Sequence, residues 1–246
     1  MTYRIEGFFE GRPISIWEMR NPMIYKKYGE MICDFNFDLK IRERIQDFCP
    51  LKKDKLFVHT VLLDWVPKLQ GNLPAITDAL KAKIAEAGAS GNKELEKNLE
   101  TVEMLSKAFL YDGATDDFVK LIHIPAEDQE NATFPLVFCH NDAQENNILM
   151  HREDNERLMV IDYEYGGWNP MAMDLANYLN ETMLDNSYPC ENGITVYLSN
   201  CMTDQELRDM SLVYMQRYFS THMTAAVKAK YTDFDDFVAK EMDKLI

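Results

Sequence analysis

The chain has 246 residues, 46% of them hydrophobic, with a formal charge of −15. That is enough for one large domain or one and a half small ones, and so acidic a surface argues against nucleic-acid and anionic-membrane partners. Five scattered cysteines, Cys33, Cys49, Cys139, Cys190 and Cys201, lack C-x-x-C spacing and fit a reducing compartment better than a zinc site or disulfide framework. No apolar signal region opens the chain and no stretch approaches 18 apolar residues, so the expectation is a cytoplasmic protein without membrane insertion.

Residues 3–9 (Tyr3-Arg-Ile-Glu-Gly-Phe-Phe9) read as a short strand, with Glu10-Gly11-Arg12-Pro13 as the turn that ends it. From about 22 to 110 the pattern is helical and amphipathic. Asp64-Trp65-Val66-Pro67 and Gly71-Asn72-Leu73-Pro74 punctuate it, and residues 87–92 break it before a charged helix over 93–107. Phe134–Cys139 is a short apolar run leading into a polar loop, His140–Asn146. Ile148–Met150 and Leu158–Ile161 read as two strands joined through the charged stretch 151–157. Asn169-Pro170 reads as the opening of a helix. Thr203-x-x-Glu206 and Thr232-x-x-Asp235 have capping-box spacing, and Leu207, Met210, Tyr214, Tyr218 and Thr221 follow on one helical face.

The chemistry concentrates in Val137-Phe-Cys-His140-Asn141-Asp142-Ala-Gln144-Glu-Asn-Asn147-Ile148-Leu149. Asp142 and Asn147 have the D-x-x-x-x-N spacing of a phosphotransferase catalytic loop. A carboxylate can accept a hydroxyl proton, and an amide oxygen five residues on can ligate Mg²⁺ without adding negative charge beside phosphates. Asp162 ends an apolar strand twenty residues later, where a second metal ligand belongs, and Glu164 adds a further carboxylate. His140 reads as a structural residue of the loop, and Cys139 as a buried small apolar one.

Phe138–Leu149 and Leu158–Tyr165 resemble the two signature motifs of choline/ethanolamine kinases, and Asn169…Asp174-Leu-Ala-Asn177…Asn180-Glu181 resembles the helix that follows them. The resemblance implies an α+β fold, the mainly helical C-terminal lobe of a protein-kinase-like fold with short β-hairpins at the active site. It implies Asp142 as catalytic base, Asn147, Asp162 and Glu164 at Mg²⁺, Gln144 against ATP, and Asp174 as a brace for the catalytic loop. Glu181, Tyr165, Asp185 and Tyr188 fall on the amino-alcohol side. Residues 3–9 resemble the last small-lobe strand and hinge, which puts Glu6 and Phe9 beside the nucleotide. The implied division is 1–10 as that remnant and 11–246 as the large lobe.

No G-x-G-x-x-G loop and no identifiable strand lysine with a helix glutamate partner occur in the sequence. A phosphotransfer site without that clamp is expected to be weak or inactive, because positioning is most of the catalysis. Ser220 and Met223 stand where the family carries tryptophans, and a depleted aromatic cage leans toward ethanolamine over choline. Two alternatives stay open: another small-molecule kinase of the aminoglycoside phosphotransferase type, and a non-catalytic regulatory relative. A homodimer is compatible with the sequence, which leaves oligomeric state open.

Overall fold

Cap and turn residues set where this chain starts and stops its helices. The computed structural model describes residues 9–52, 56–87, 93–109, 111, 113–122, 124, 129–187 and 194–245. Strand β1 (Gly11–Pro13) leads to helix α1 (Ile16–Met19), opened by a capping box between Ser15 and Glu18. Asn21 caps α2 (Pro22–Phe37), with Pro22 at the first position, where its missing N–H is not needed. Asp38 ends α2 and caps α3 (Leu39–Phe48) through the Lys40 and Ile41 amides. Helices α4 (Phe57–Ala87), α5 (Lys93–Phe109) and α6 (Ala114–Leu121) follow. The central strands are β2 (Leu136–Cys139), β3 (Ile148–His151), β4 (Leu158–Val160) and β5 (Gly167–Pro170). After α7 (Ala172–Glu181), the strands β6 (Leu184–Asp185) and β7 (Thr195–Val196) pair antiparallel. Helix α8 (Asp204–Arg217) runs into a π turn at Tyr218–His222, then α9 (Ala225–Lys228) and α10 (Phe234–Leu245).

The chain divides into two compact units, residues 53–123 and the remainder. Within the first, α4 packs on α5 and α6. In the second, α2 and α8 pack side by side over a core that includes Tyr28, Ile32, Met210, Tyr214 and Phe237. The Tyr28 and Tyr178 rings lie 4.3 Å apart, and the Tyr178 hydroxyl donates to the Met19 carbonyl at 2.8 Å. Two antiparallel ladders sit beside this core, β1-β3-β4 and β2-β5. No helix among the described residues is long and apolar enough to cross a membrane.

Four sequence expectations are corrected. Gly11–Pro13 is an edge strand on β3, not a turn. Glycine permits the close approach, because a Cβ there would meet the Met150 carbonyl oxygen at 2.9 Å, and proline is tolerated at the strand's end. Pro67 and Pro74 lie inside α4 without ending it. The carbonyls they free, on Leu63 and Gln70, belong to exposed residues and can turn to water. Asn169-Pro170 closes β5 against β2, and the helix starts two residues later. The last cap is shifted by one residue: Asp233 accepts from the Asp236 amide, and the Asp236 carboxylate accepts from the Thr232 amide. Of the strand expected at residues 3–9 only Phe9 is described, outside any strand, and of the break expected at 87–92 only Ala87, the last residue of α4.

Gly29 tests the α2–α8 contact, since a Cβ there would stand 2.9 Å from the Met210 carbonyl oxygen. Gly29→Ala should gain about 1 kcal/mol in helix propensity. Separating two packed helices costs about 1–3 kcal/mol, so the clash is expected to win. The urea midpoint should fall; a raised midpoint would contradict this packing.

Candidate active site

The site follows from strand pairing. β2 pairs with β5 so that Cys139 faces Gly167, and β3 pairs with β4 so that Ile148 faces Val160. Residues 140–147 and 161–166 therefore span the same gap between the same two ladders, side by side. The Ile161 amide donates to the Asn147 carbonyl at 3.0 Å, extending the β3–β4 ladder into the gap. This register brings Asp162 to within one residue of the position opposite Asn147.

His140 ties the two connections together. It is fully buried; its Nδ1 accepts from the Asp142 amide at 3.3 Å, which leaves Nε2–H to donate to the Ile161 carbonyl at 2.8 Å. Asn141 and Asp162 both adopt a φ of 64°. Asn and Asp tolerate that left-handed region best among residues with a side chain, at a cost of order 1–3 kcal/mol each. Asn141 is held there through its side chain, which donates to the Tyr165 carbonyl at 2.9 Å and accepts from Asn169 at 2.7 Å.

Behind the loop stands Asp174, fully buried. Its carboxylate accepts from the His140 amide at 3.1 Å, the Asn141 amide at 2.9 Å and the Asn36 side chain at 2.8 Å. Asn36 also donates to the Phe138 carbonyl and accepts from the Tyr214 hydroxyl at 2.8 Å, connecting α2 and α8 to the loop. Helix α7 presents Asp174, Asn177 and Glu181 along one stripe. Asn177 accepts from the Ala143 amide.

Asp142, Gln144 and Asn147 come together. The Asp142 Oδ2 accepts from Asn147 Nδ2 at 2.6 Å and from Gln144 Nε2 at 3.2 Å. Asn147 Nδ2 also donates to the Asp142 carbonyl, so its amide N–H groups are committed and Oδ1 is the atom available to a cation. Asp162, Glu164 and Tyr165 are exposed on the neighbouring connection. Tyr163 anchors that connection by stacking on Phe35 at 5.4 Å and donating to the Val160 carbonyl at 2.7 Å.

A second cluster, invisible in the sequence, joins the loop to the segment after α7. Glu145 is fully buried and accepts from the Asn186 amide at 3.0 Å and the Ser187 hydroxyl at 2.7 Å. Asn186 Nδ2 bridges Glu145 at 3.2 Å and Glu181 at 3.5 Å. Asp185 lines a cavity of about 320 Å³ with Arg12, Trp17, Glu145 and Ser187. Burial raises the Glu181 carboxyl to about 7, and the charges of Asp142 and Glu145 push it the same way. Phe9 lies elsewhere, edge-on to His151 at the end of β3 away from Asn147, with the Arg157 guanidinium over its ring. Glu6 and Tyr188 fall outside the described residues.

The choline/ethanolamine kinase family profile matches residues 3–246. The chain belongs to the choline/ethanolamine kinase family. An ethanolamine kinase of Saccharomyces cerevisiae is 33% identical over 107 residues, 37% of this chain and 20% of that protein. Mouse choline kinase alpha is 48% identical over 58 residues, 22% of this chain and 13% of that protein. Matches of this kind span well under two thirds of the curated relatives. A choline kinase structure from Cryptosporidium parvum shares the fold at 19% identity and a TM-score of 0.51, covering 91% of this chain and 57% of that one. The expected α+β, mainly helical architecture is the one observed.

The Glu181 environment makes stability depend on pH. A raised carboxyl pKa means the folded state keeps a proton that the unfolded chain has released. Rising pH between about 4.5 and about 7 therefore lowers stability, and the full cost is present above about 7. Glu181→Gln should melt above the native chain at pH 8, with the difference shrinking toward pH 5. A difference that stays constant over that range would contradict the shift.

Proposed function

We propose that the chain carries the catalytic lobe of a kinase that transfers the γ-phosphoryl group of ATP to the hydroxyl of choline or ethanolamine. One observation carries this reading: Asp142 Oδ2 is pinned by Asn147 and Gln144 on a loop fixed from behind, so the Asp142 carboxylate has one orientation. A fixed carboxylate beside an acceptor hydroxyl can take its proton as the oxygen attacks phosphorus. Residues 11–246 are read as the large lobe, and 1–10 as the end of the small lobe and hinge, with Glu6 and Gln144 on the nucleotide side.

Asn147 Oδ1, Asp162 and Glu164 offer an all-oxygen donor set, the chemistry that suits Mg²⁺. Among the described residues no group of three His, Cys, Asp or Glu side chains could hold a metal ion alone. An Asn oxygen and phosphate oxygens would have to complete the set, as in a nucleotide-borne Mg²⁺ site. When bound, the ion supplies neutralisation of phosphate charge.

On the acceptor side, Glu181 and Asp185 are read as carboxylates for an ammonium group, with Tyr165 and Tyr188 as the aromatics that the resemblance assigns to it. Carboxylates hydrogen-bond a primary ammonium, whereas a quaternary one needs ring faces. Ethanolamine is therefore the favoured substrate. An ammonium beside Glu181 favours its ionised form, so the amine KM should fall as pH rises from 6 to 8.

The test is steady-state phosphorylation by the full gene product with Mg²⁺-ATP and a panel of ethanolamine, choline and aminoglycosides. Expected is a higher kcat/KM for ethanolamine than for choline, with the 246 residues alone turning over slowly. Asp142→Asn and Asp162→Asn should each lower kcat by about 10²–10⁴ with the circular-dichroism spectrum unchanged. Turnover confined to an aminoglycoside, or retained in either variant, would contradict the proposal.

A further inference from the structure

A cavity of about 640 Å³ opens between α3, β5 and the π turn, in the size range of small-molecule sites, roughly 300–1,000 Å³. None of Asp142, Asn147, Asp162 and Glu181 lines it. Its walls are aromatic: Phe37 stacks on Tyr218 at 4.7 Å and on His222 at 5.4 Å, and Trp168 stands nearby. Trp168 is fixed there because its indole N–H donates to the Cys49 carbonyl at 2.6 Å. The Tyr218–His222 wall departs from regular α-helix, as helices often do at ligand sites.

Two residues that line this cavity carry donors with no acceptor among the described residues. The Arg42 guanidinium lies 5.9 Å from the centres of both the Phe37 and Trp168 rings, and no carboxylate of the described residues pairs with it. Burial lowers its pKa, the sign of a cation held in poor solvent without a counter-charge. Gln129 uses its side-chain oxygen to accept from the Leu136 amide at 2.7 Å, while its Nε2 is buried and unpaired. An unpaired buried donor costs about 1–3 kcal/mol, and a ligand acceptor would remove that cost. The remaining charges at the cavity limit what enters. Glu43 and Glu130 are exposed at its edge, and His222 is already paired with Asp34 at 2.8 Å.

We infer that this cavity binds a small organic monoanion, a carboxylate on a flat apolar body, with Arg42 and Gln129 on the carboxylate and the rings of Phe37 and Trp168 on the body. Planar guanidinium and amide donors suit the two oxygens of a carboxylate. The acidic edge disfavours a dianion such as a phosphate monoester. The lining shares none of the residues assigned to phosphotransfer, and the inference stands whether or not that reading survives.

The test is calorimetric titration of the whole chain with 2-naphthoate, its neutral counterpart 2-naphthamide, and 2-naphthyl phosphate. The naphthoate should bind about tenfold or more tighter than the amide, the effect of one charge-assisted hydrogen bond, and tighter than the phosphate. Arg42→Met keeps the aliphatic bulk and should abolish the preference for naphthoate. Gln129→Glu keeps the oxygen that accepts from Leu136 and should weaken naphthoate binding about tenfold. Equal binding of naphthoate and naphthamide, or no binding of either at millimolar concentration, would overturn the proposal. So would tighter binding of the phosphate, or a preference surviving in both variants. If a variant melts early, the naphthoate–naphthamide comparison on the native chain decides.

Discussion

The buried carboxylate of Asp174 holds this site together. An unpaired ion at that depth would cost several kcal/mol, so it persists only because the His140 and Asn141 amides and the Asn36 side chain all donate to it. Charge-assisted bonds of this kind contribute roughly twice as much as neutral ones. They fix the backbone at the point where the loop turns through the left-handed region at Asn141. Tyr214 on α8 closes the arrangement by donating to Asn36. The α2–α8 core and the catalytic loop are thus one mechanical unit.

What the brace achieves is convergence. Asp142 and Asp162 lie twenty residues apart, yet their two connections join the same two ladders, crossing between them in opposite directions. The His140–Ile161 bond fastens one to the other. The strained dihedrals at Asn141 and Asp162 sit on these two connections, where surrounding bonds outweigh their cost. On the far side of the loop, Glu145 holds Asn186 and Ser187, so the acceptor-side segment is referenced to the same backbone. Burial of Glu181, reinforced by the charges of Asp142 and Glu145, then explains why its carboxyl is raised to about 7.

Much of this was legible because it is local. The spacing of Asp142, Asn147 and Asp162 is written in one short stretch, and the Thr203–Glu206 capping box appears as read. Asn36 was not read, although a polar residue four places past Ile32 on an apolar face was a signal. Its partner Asp174 is 138 residues away, and no short-range pattern carries that distance. Glu145 escaped for the same reason, its partners lying 41 and 42 residues on. Asn169-Pro170 carried a valid helix-start signal, but pairing with β2 overrode it and turned the Asn169 side chain toward Asn141. Pro67 and Pro74 misled in the opposite sense, because exposed positions let α4 absorb them.

The claim that Asp174 fixes the catalytic loop is tested most directly by amide hydrogen exchange in the native chain and in Asp174→Asn. The account predicts that the His140 and Asn141 amides lose about 10- to 100-fold protection, the effect of removing a charge-assisted acceptor, while amides in the middle of α2 keep theirs. Unchanged protection at both loop amides would contradict it.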